Sequence, residues 1–415
     1  MLSSAAGLAS LPALNLVGFV SVSGISSGAD AAVMFHVANS DIVNASAVFA
    51  GQAFGCAVRA FAGEPRVGCL QQPAGRQGPG CVGMPWGPAP CIGCGAPPPS
   101  PWLPGTNYTT VTYDHCKAVG GGALTDPSLL VAYARELEAG GDVPPLSGLA
   151  ASAVLLFRGT KDTTYNAGSV NRTQDVFRAL GAGVTRFDAD VPAAHAWPSA
   201  DPNVPRASCG GGGGGGPAGL ENCGYDGAGE ALQLAYGGSL APPASLLDWS
   251  AASLLRFDQE PYVPPGRWAG HGRAGYVYVP AACAAAPQAA CRLHVALHGC
   301  GQSASDAATN TSFVRYTGLN AWGERNNIVV LFPQMGGFKD YNVTAPSGQL
   351  GGSCFDGYGQ TGVDFASTTA PQLLFIREMV GALWGGSPGA PARRAPGSLG
   401  RAAAAAAAAR RDAQD

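Results

Sequence analysis

Short apolar runs recur along the chain, and several are followed by stretches in which apolar residues return every three or four positions. The runs Leu16–Val22, Ala47–Ala50, Val154–Phe157, Val184–Phe187, Tyr276–Val279, Leu293–Leu297 and Ile328–Phe332 are predicted strands. They are short and apolar, as expected when a parallel sheet is covered on both faces. Helical spacing over Asp30–Ala38, Ser169–Leu180, Phe313–Glu324 and Pro371–Leu383 supplies the covering layers. Pro371 suits the first turn of a helix and Gly181 suits a stop. Strands alternating with helices predict a doubly wound, mostly parallel α/β sheet.

Two segments interrupt the pattern. Between Cys56 and Cys116 six cysteines sit among Pro and Gly with almost no periodicity, and Gly210–Gly216 is a run of seven glycines. The first reads as an insertion held by cross-links, the second as a flexible connector. After Trp384 the chain is rich in Pro, Gly, Arg and Ala and reads as disordered. The expected organisation is one α/β domain over residues 10–384, with the insertion at 57–119, the connector at 203–224 and the tail at 385–415.

Composition narrows the classes. Of 415 residues 46% are hydrophobic, enough for a sizeable core, and only 12% are charged. A net charge of −3 leaves no basic surface for nucleic acid. No apolar run reaches the length of a membrane span, so membrane insertion is not expected. Twelve cysteines, an even and high count, predict disulfides in an oxidising compartment. The N-x-[ST] sequons at Asn44, Asn107, Asn171, Asn310 and Asn342 agree with an extracellular glycoprotein. No Lys or Arg precedes Arg59, so the charged start of a secretory leader is not visible and a leader would lie outside this chain.

The chemistry centres on Gly24-Ile25-Ser26-Ser27-Gly28, a G-x-S-x-G motif between an apolar strand and an amphipathic helix. That context is a nucleophile elbow, in which a tight turn lifts the Ser26 hydroxyl clear of the sheet. The N–H of Ser27, at the helix start, is free to donate to an oxyanion. A serine nucleophile needs a base and an orienting carboxylate. Asp162 follows the strand Val154–Phe157, and His195 follows the strand Val184–Phe187, giving the order Ser, Asp, His. The other histidines are placed less well. His36 lies in the helix after the elbow, His115 in the cysteine-rich insertion, His271 in a glycine-rich loop and His294 within a strand.

Leu293–Leu297 is an apolar strand that runs into His298-Gly299-Cys300. In α/β-hydrolases such a loop supplies the second oxyanion N–H, but it precedes the nucleophile. Here it follows the whole triad, and a circular permutation opened just before the elbow strand accounts for the order.

These residues carry a family resemblance. The segment Leu11–Ala57, with Ser23-Gly24-Ile25-Ser26-Ser27-Gly28 and Val48-Phe49-Ala50-Gly51, resembles the secreted polyhydroxybutyrate (PHB) depolymerases of the esterase superfamily. So do Gly159-Thr160-Lys161-Asp162-Thr163, Ala193-Ala194-His195-Ala196, Tyr276-Val277-Tyr278-Val279-Pro280 and His298-Gly299-Cys300. The resemblance covers residues 10–60 and 145–384 in the permuted order. It implies a circularly permuted α/β-hydrolase fold, Ser26, Asp162 and His195 as the triad, and an oxyanion hole from the N–H groups of Ser27 and Cys300. It also implies disulfides Cys300–Cys354 and Cys56–Cys69, beside the short local loops Cys283–Cys291 and Cys209–Cys223 expected from spacing. The family's Cys-Trp-Asp-Trp stretch stands here as Cys354-Phe355-Asp356-Gly357-Tyr358, leaving Phe355 and Tyr358 as the expected substrate wall.

The expected activity is serine esterase hydrolysis of 3-hydroxybutyrate polyester or oligomers, with soluble oligomers preferred. Hydrolysis of acylated or feruloylated cell-wall sugars, or of small esters, is the alternative. The expected partner is the ester substrate alone, on a monomer, with no cofactor and no metal. Cys91-Ile92-Gly93-Cys94 lacks a second C-x-x-C at zinc-ribbon spacing, which favours disulfides there.

Overall fold

The computed structural model describes residues 8–57, 113–118, 124–201, 207–211, 219–266, 269–306, 310–336, 353–357, 361 and 364–386. In chain order the strands are β1 (Leu16–Ile25), β2 (Val43–Phe49), β3 (Ala153–Phe157), β4 (Val184–Asp188), β5 (Trp197–Ser199), β6 (Ala207–Ser208), β7 (Leu220–Asn222), β8 (Leu254–Asp258), β9 (Ala274–Tyr278), β10 (Cys291–Leu297) and β11 (Ile328–Phe332). The α-helices are α1 (Ser27–Ala38), α2 (Pro127–Gly140), α3 (Ala167–Ala179), α4 (Gly227–Ala235), α5 (Ala281–Ala284), α6 (Ser312–Tyr316), α7 (Leu319–Asn326) and α8 (Pro371–Leu383).

Eight strands form one sheet in the order β4-β3-β2-β1-β10-β11-β9-β8. All neighbours from β4 to β11 are parallel, and β9 and β8 close the edge antiparallel. The expected doubly wound α/β-hydrolase fold is therefore present. Its circular permutation is visible in the pairing, because the late strand β10 lies directly beside the elbow strand β1. The C-terminal end of α8 returns to the start of the chain, where Leu14 N–H donates to Leu383 C=O at 2.9 Å.

Both faces of the sheet are covered, as the apolar strands require. Along β3, Val154 and Leu156 enter the layer beneath α1 and α8. Leu155 and Phe157 enter the opposite layer with α4 and Trp322. Continuous apolar sequence in a strand is the direct consequence.

Several expectations change. The single helix expected over Phe313–Glu324 is two, α6 and α7, because Gly318 takes a left-handed φ of 88° between them. The connector at 203–224 is packed at both ends. Ala207–Ser208 and Leu220–Asn222 pair in a three-stranded sheet with β5, and the Cys209–Cys223 disulfide closes the intervening loop. Disulfides Cys283–Cys291 and Cys300–Cys354 also form as expected. Cys56 does not pair with Cys69. It is bonded to Cys116 across a sequence separation of 60, so it joins the two ends of the insertion rather than closing its start.

Two histidines are fully buried in the core between serine hydroxyls. His36 of α1 bridges Ser46 and Ser152 at 2.8 and 2.9 Å, and His294 of β10 bridges Ser21 and Ser23 at 2.8 and 2.7 Å. Burial pushes each imidazole down to about 3, far below its ordinary 6.5. Both rings are therefore neutral in the folded protein while the unfolded chain takes up protons below pH 6.5. The sign follows: stability is full above that pH and falls as the pH drops. Each ring contributes a slope of about 1.4 kcal/mol per pH unit in the interval. Urea unfolding at pH 7 and pH 5.5 should show this steep acid loss, and a pH-independent midpoint would contradict it.

Candidate active site

Strand β1 runs in the middle of the sheet and leads directly into Ser26, whose backbone has φ 58° and ψ −124°. A non-glycine residue rarely holds such a conformation, and it survives only where the surroundings over-determine it. Glycines on both sides supply that constraint. A Cβ on Gly24 would collide with the Gly28 carbonyl, and one on Gly28 would collide with the carbonyls of Leu297 and His298. The elbow therefore closes only because three backbone segments pass one another without side chains. Ser26 is half-buried and Ser27 opens α1, where the first helical N–H groups have no intrahelical partner.

The His298-Gly299-Cys300 loop leaves β10 beside this turn. A Cβ on Gly299 would lie 3.2 Å from Ser26 Cβ, so the loop passes against the serine itself. His298 is fully buried, with Nε2 accepting from Met335 N–H at 3.1 Å and Nδ1 lying 2.7 Å from the Gly299 carbonyl. The first contact leaves the proton on Nδ1, which donates to that carbonyl. Burial pushes this imidazole down to about 4, so the arrangement holds across the neutral range. In a trans peptide the C=O and N–H point in opposite directions. Fixing the Gly299 carbonyl thus also aims the Cys300 N–H. The Cys300–Cys354 disulfide pins the same loop to the segment carrying Phe355.

At the exits of the next strands the structure brings Asp162 and His195 together. His195 Nδ1 lies 2.9 Å from Asp162 Oδ2, with both side chains largely shielded from water. Asp162 Oδ1 accepts the N–H groups of Thr164 and Tyr165 at 2.7 and 3.0 Å. Burial alone would raise the Asp162 carboxyl. The His195 hydrogen bond and charge, with those two N–H groups, outweigh it and hold the group below the ordinary carboxylate range.

Further buried charges surround this pair, and they were not legible in the sequence. Tyr165 stacks on His195 with ring centroids 5.5 Å apart and planes 11° from parallel, and its hydroxyl donates to Asp30 at 2.8 Å. Asp30 is fully buried on the first turn of α1, and burial raises its carboxyl despite Lys117, Gln52 and Tyr165. The Lys117 ammonium lies 4.4 Å from the Tyr165 ring centroid. It comes from the exit of the insertion, next to the Cys56–Cys116 bond. Burial pushes it down to about 8, while Asp30 and Asp162 pull it upward.

The remaining expectations divide. Phe355 does not offer a wall to substrate: it is fully buried, with its ring 5.0 Å from His298, and it supports the loop from behind. Tyr358 lies outside the described residues, as do Cys69, Cys91 and Cys94. Cys209, Glu221 and Cys223 bring metal-ligand atoms together, but the two sulfurs are joined as a disulfide.

The Lys117 charge gives a pH test. The folded state holds that proton less tightly than the unfolded chain, whose value is near 10.5, so stability rises with pH above about 8. Between about pH 8 and about pH 10 the wild-type protein should gain about 1 kcal/mol per pH unit relative to Lys117→Met. Equal pH slopes for the two proteins in urea unfolding would contradict the buried charge.

No protein-family model matches the chain. The chain is 30% identical over 277 residues to the poly(3-hydroxybutyrate) depolymerase of Delftia acidovorans, a match covering 66% of the chain and 50% of that protein. It is 29% identical over 347 residues to the polyhydroxybutyrate depolymerase of Talaromyces funiculosus, covering 81% of the chain and 79% of that relative. The chain thus spans about half of the first relative and about four fifths of the second. The crystal structure of PHB depolymerase from Penicillium funiculosum superimposes with a TM-score of 0.68 at 26% identity, covering 91% of this chain and 99% of that one. A serine-to-alanine variant of a PHB depolymerase, complexed with an R3HB trimer, gives a TM-score of 0.68 at 25% identity over the same shares. Likeness across nearly the whole permuted sheet, together with the sequence matches, makes this chain similar in sequence and in fold to the polyhydroxybutyrate depolymerases.

Proposed function

We propose that the chain is a secreted serine esterase that hydrolyses short-chain 3-hydroxyalkanoate esters, with 3-hydroxybutyrate oligomers as its preferred substrates. One observation carries the reading: a hydrogen-bonded His195–Asp162 pair at strand exits of the same sheet whose central strand ends in the constrained Ser26 elbow. The R3HB trimer bound by a relative of the same fold supports the substrate class. Four described disulfides support passage through an oxidising compartment.

In this mechanism Ser26 Oγ attacks the ester carbonyl while His195 Nε2 takes its proton. Asp162 accepts from Nδ1–H, which fixes the tautomer and stabilises the imidazolium. The N–H groups of Ser27 and Cys300 receive the oxyanion, and one such donor is worth about 3 kcal/mol. His195 then protonates the leaving alkoxide, and water, deprotonated by the same ring, releases the acyl group from Ser26.

Ser26→Ala, His195→Ala and Asp162→Asn should each lower kcat on a p-nitrophenyl butyrate probe by at least about a thousandfold without unfolding the protein. Because the three act as one unit, the double variants should lose little more than the singles. Rates on 3-hydroxybutyrate dimers and trimers should exceed those on polymer film and on acetylated or feruloylated sugars. Wild-type turnover by Ser26→Ala would end the hydrolase reading, and preference for the sugar esters would move the substrate to that class.

A further inference from the structure

The oxyanion loop and the His195 loop come from distant parts of the chain, yet a single side chain spans them. Gln302 is buried two residues beyond Cys300, in the turn that follows β10. Its Oε1 accepts the Gly299 N–H at 2.7 Å, and its Nε2 donates to the Gly219 carbonyl at 3.1 Å. The Gly219 carbonyl also accepts the N–H of Trp197, two residues after His195, at 3.0 Å. Both polar atoms of the Gln302 amide head are therefore engaged between the two loops. Space is tight as well, since a Cβ on Gly219 would fall on the Gln302 amide nitrogen.

The two ends of this bridge are fixed in different ways. On the oxyanion side the Gln302 backbone N–H donates to the Gly299 carbonyl at 3.2 Å, alongside His298 Nδ1–H. The Gln302 side chain thus fixes the peptide before Gly299, while its main chain and His298 fix the peptide after it. The Cys300 N–H belongs to that second peptide, so its direction is set by both. On the other side Gly219 leads into β7, where fully buried Glu221 accepts the Ala194 N–H at 2.9 Å, immediately before His195. The Cys209–Cys223 disulfide closes this small sheet.

We infer that Gln302 is a positioning residue that sets the distance between the oxyanion donor and the general base by clamping Gly299 to Gly219. The inference rests on the proposed serine-esterase reading. A polar amide is required because both partners are backbone groups of opposite sense, one donor and one acceptor, buried away from water. An apolar side chain leaves the Gly299 N–H unpaired and the Gly219 carbonyl with Trp197 alone, and it frees the peptide before Gly299 to rotate. Displacements of about 1 Å in such a site cost up to roughly 100-fold in rate.

Gln302→Leu and the near-isosteric Gln302→Glu test this with kcat and KM on p-nitrophenyl butyrate and inhibition by an alkyl boronic acid that forms a tetrahedral adduct. Gln302→Leu should lower kcat by roughly 10- to 100-fold with KM changed less than about twofold, and weaken the boronate by a similar factor. In Gln302→Glu the ionised carboxylate sets an oxygen against the Gly219 carbonyl, and protonation restores a donor there. The kcat of Gln302→Glu per folded enzyme, with the folded fraction measured at each pH, should therefore recover relative to wild type as pH falls. If the Leu variant does not fold, the pH response of the Glu variant decides. Wild-type kcat in both variants, or a lowered Tm with unchanged kcat, KM and boronate affinity, overturns the inference. Ser26→Ala separates the two levels: if it is inactive while the Gln302 variants are normal, only the clamp fails.

Discussion

The structure depends on one steric constraint, the close passage of three backbone segments at the end of β1. Gly24, Gly28 and Gly299 stand where a side chain would strike a neighbouring main chain or Ser26 itself. Their absence of Cβ atoms lets β1 turn directly into α1 and brings the end of β10 against that turn. The positive φ of Ser26 follows from this crowding rather than from the serine, which gains nothing by itself from such a backbone. Strain is held by the parallel ladders from β2 and β10 on either side of β1. A central strand with two partners can hold a conformation that an edge strand would release.

Around that turn, buried polar groups act mainly by fixing backbone direction. His298 and Gln302 hold the Gly299 peptides, Glu221 holds Ala194, and Asp162 gathers the N–H groups of Thr164 and Tyr165 as well as the His195 ring. Each engages main-chain groups, which ties the loops to the strands they leave. Disulfides reinforce the same places. Cys300–Cys354 pins the His298-Gly299-Cys300 loop, Cys209–Cys223 closes the sheet beside His195, and Cys56–Cys116 carries Lys117 toward Asp30 and Asp162.

Much of this was legible in the sequence wherever the physics is local. Ile328–Phe332 and Pro371–Leu383 have their expected bounds, because one is an uninterrupted apolar run and the other opens on proline. The elbow was legible through its glycines, and the permutation through the late His298-Gly299. Helix α2 was missed although Asp126 caps it, Pro127 opens it and Gly141 stops it, because the irregular segment before it masked the signal. Strand β8 was missed because it lies at the sheet edge with most of its residues only partly covered. The pairing of Cys56 with Cys116 and the approach of Lys117 to Asp30 are set by tertiary closure over long separations, which spacing along a chain does not encode. Phe355 was misassigned for a related reason: an aromatic residue beside a site looks the same in sequence whether it faces the substrate or supports the loop behind it.

A crystal structure of the protein after reaction with a serine-directed phosphonate tests the account most directly. The expected adduct has a single phosphorus–oxygen bond to Ser26 Oγ, Ser26 still at positive φ, and the phosphoryl oxygen within hydrogen-bond distance of the Ser27 and Cys300 N–H groups. An adduct on another residue, or a phosphoryl oxygen turned away from both N–H groups, would contradict it.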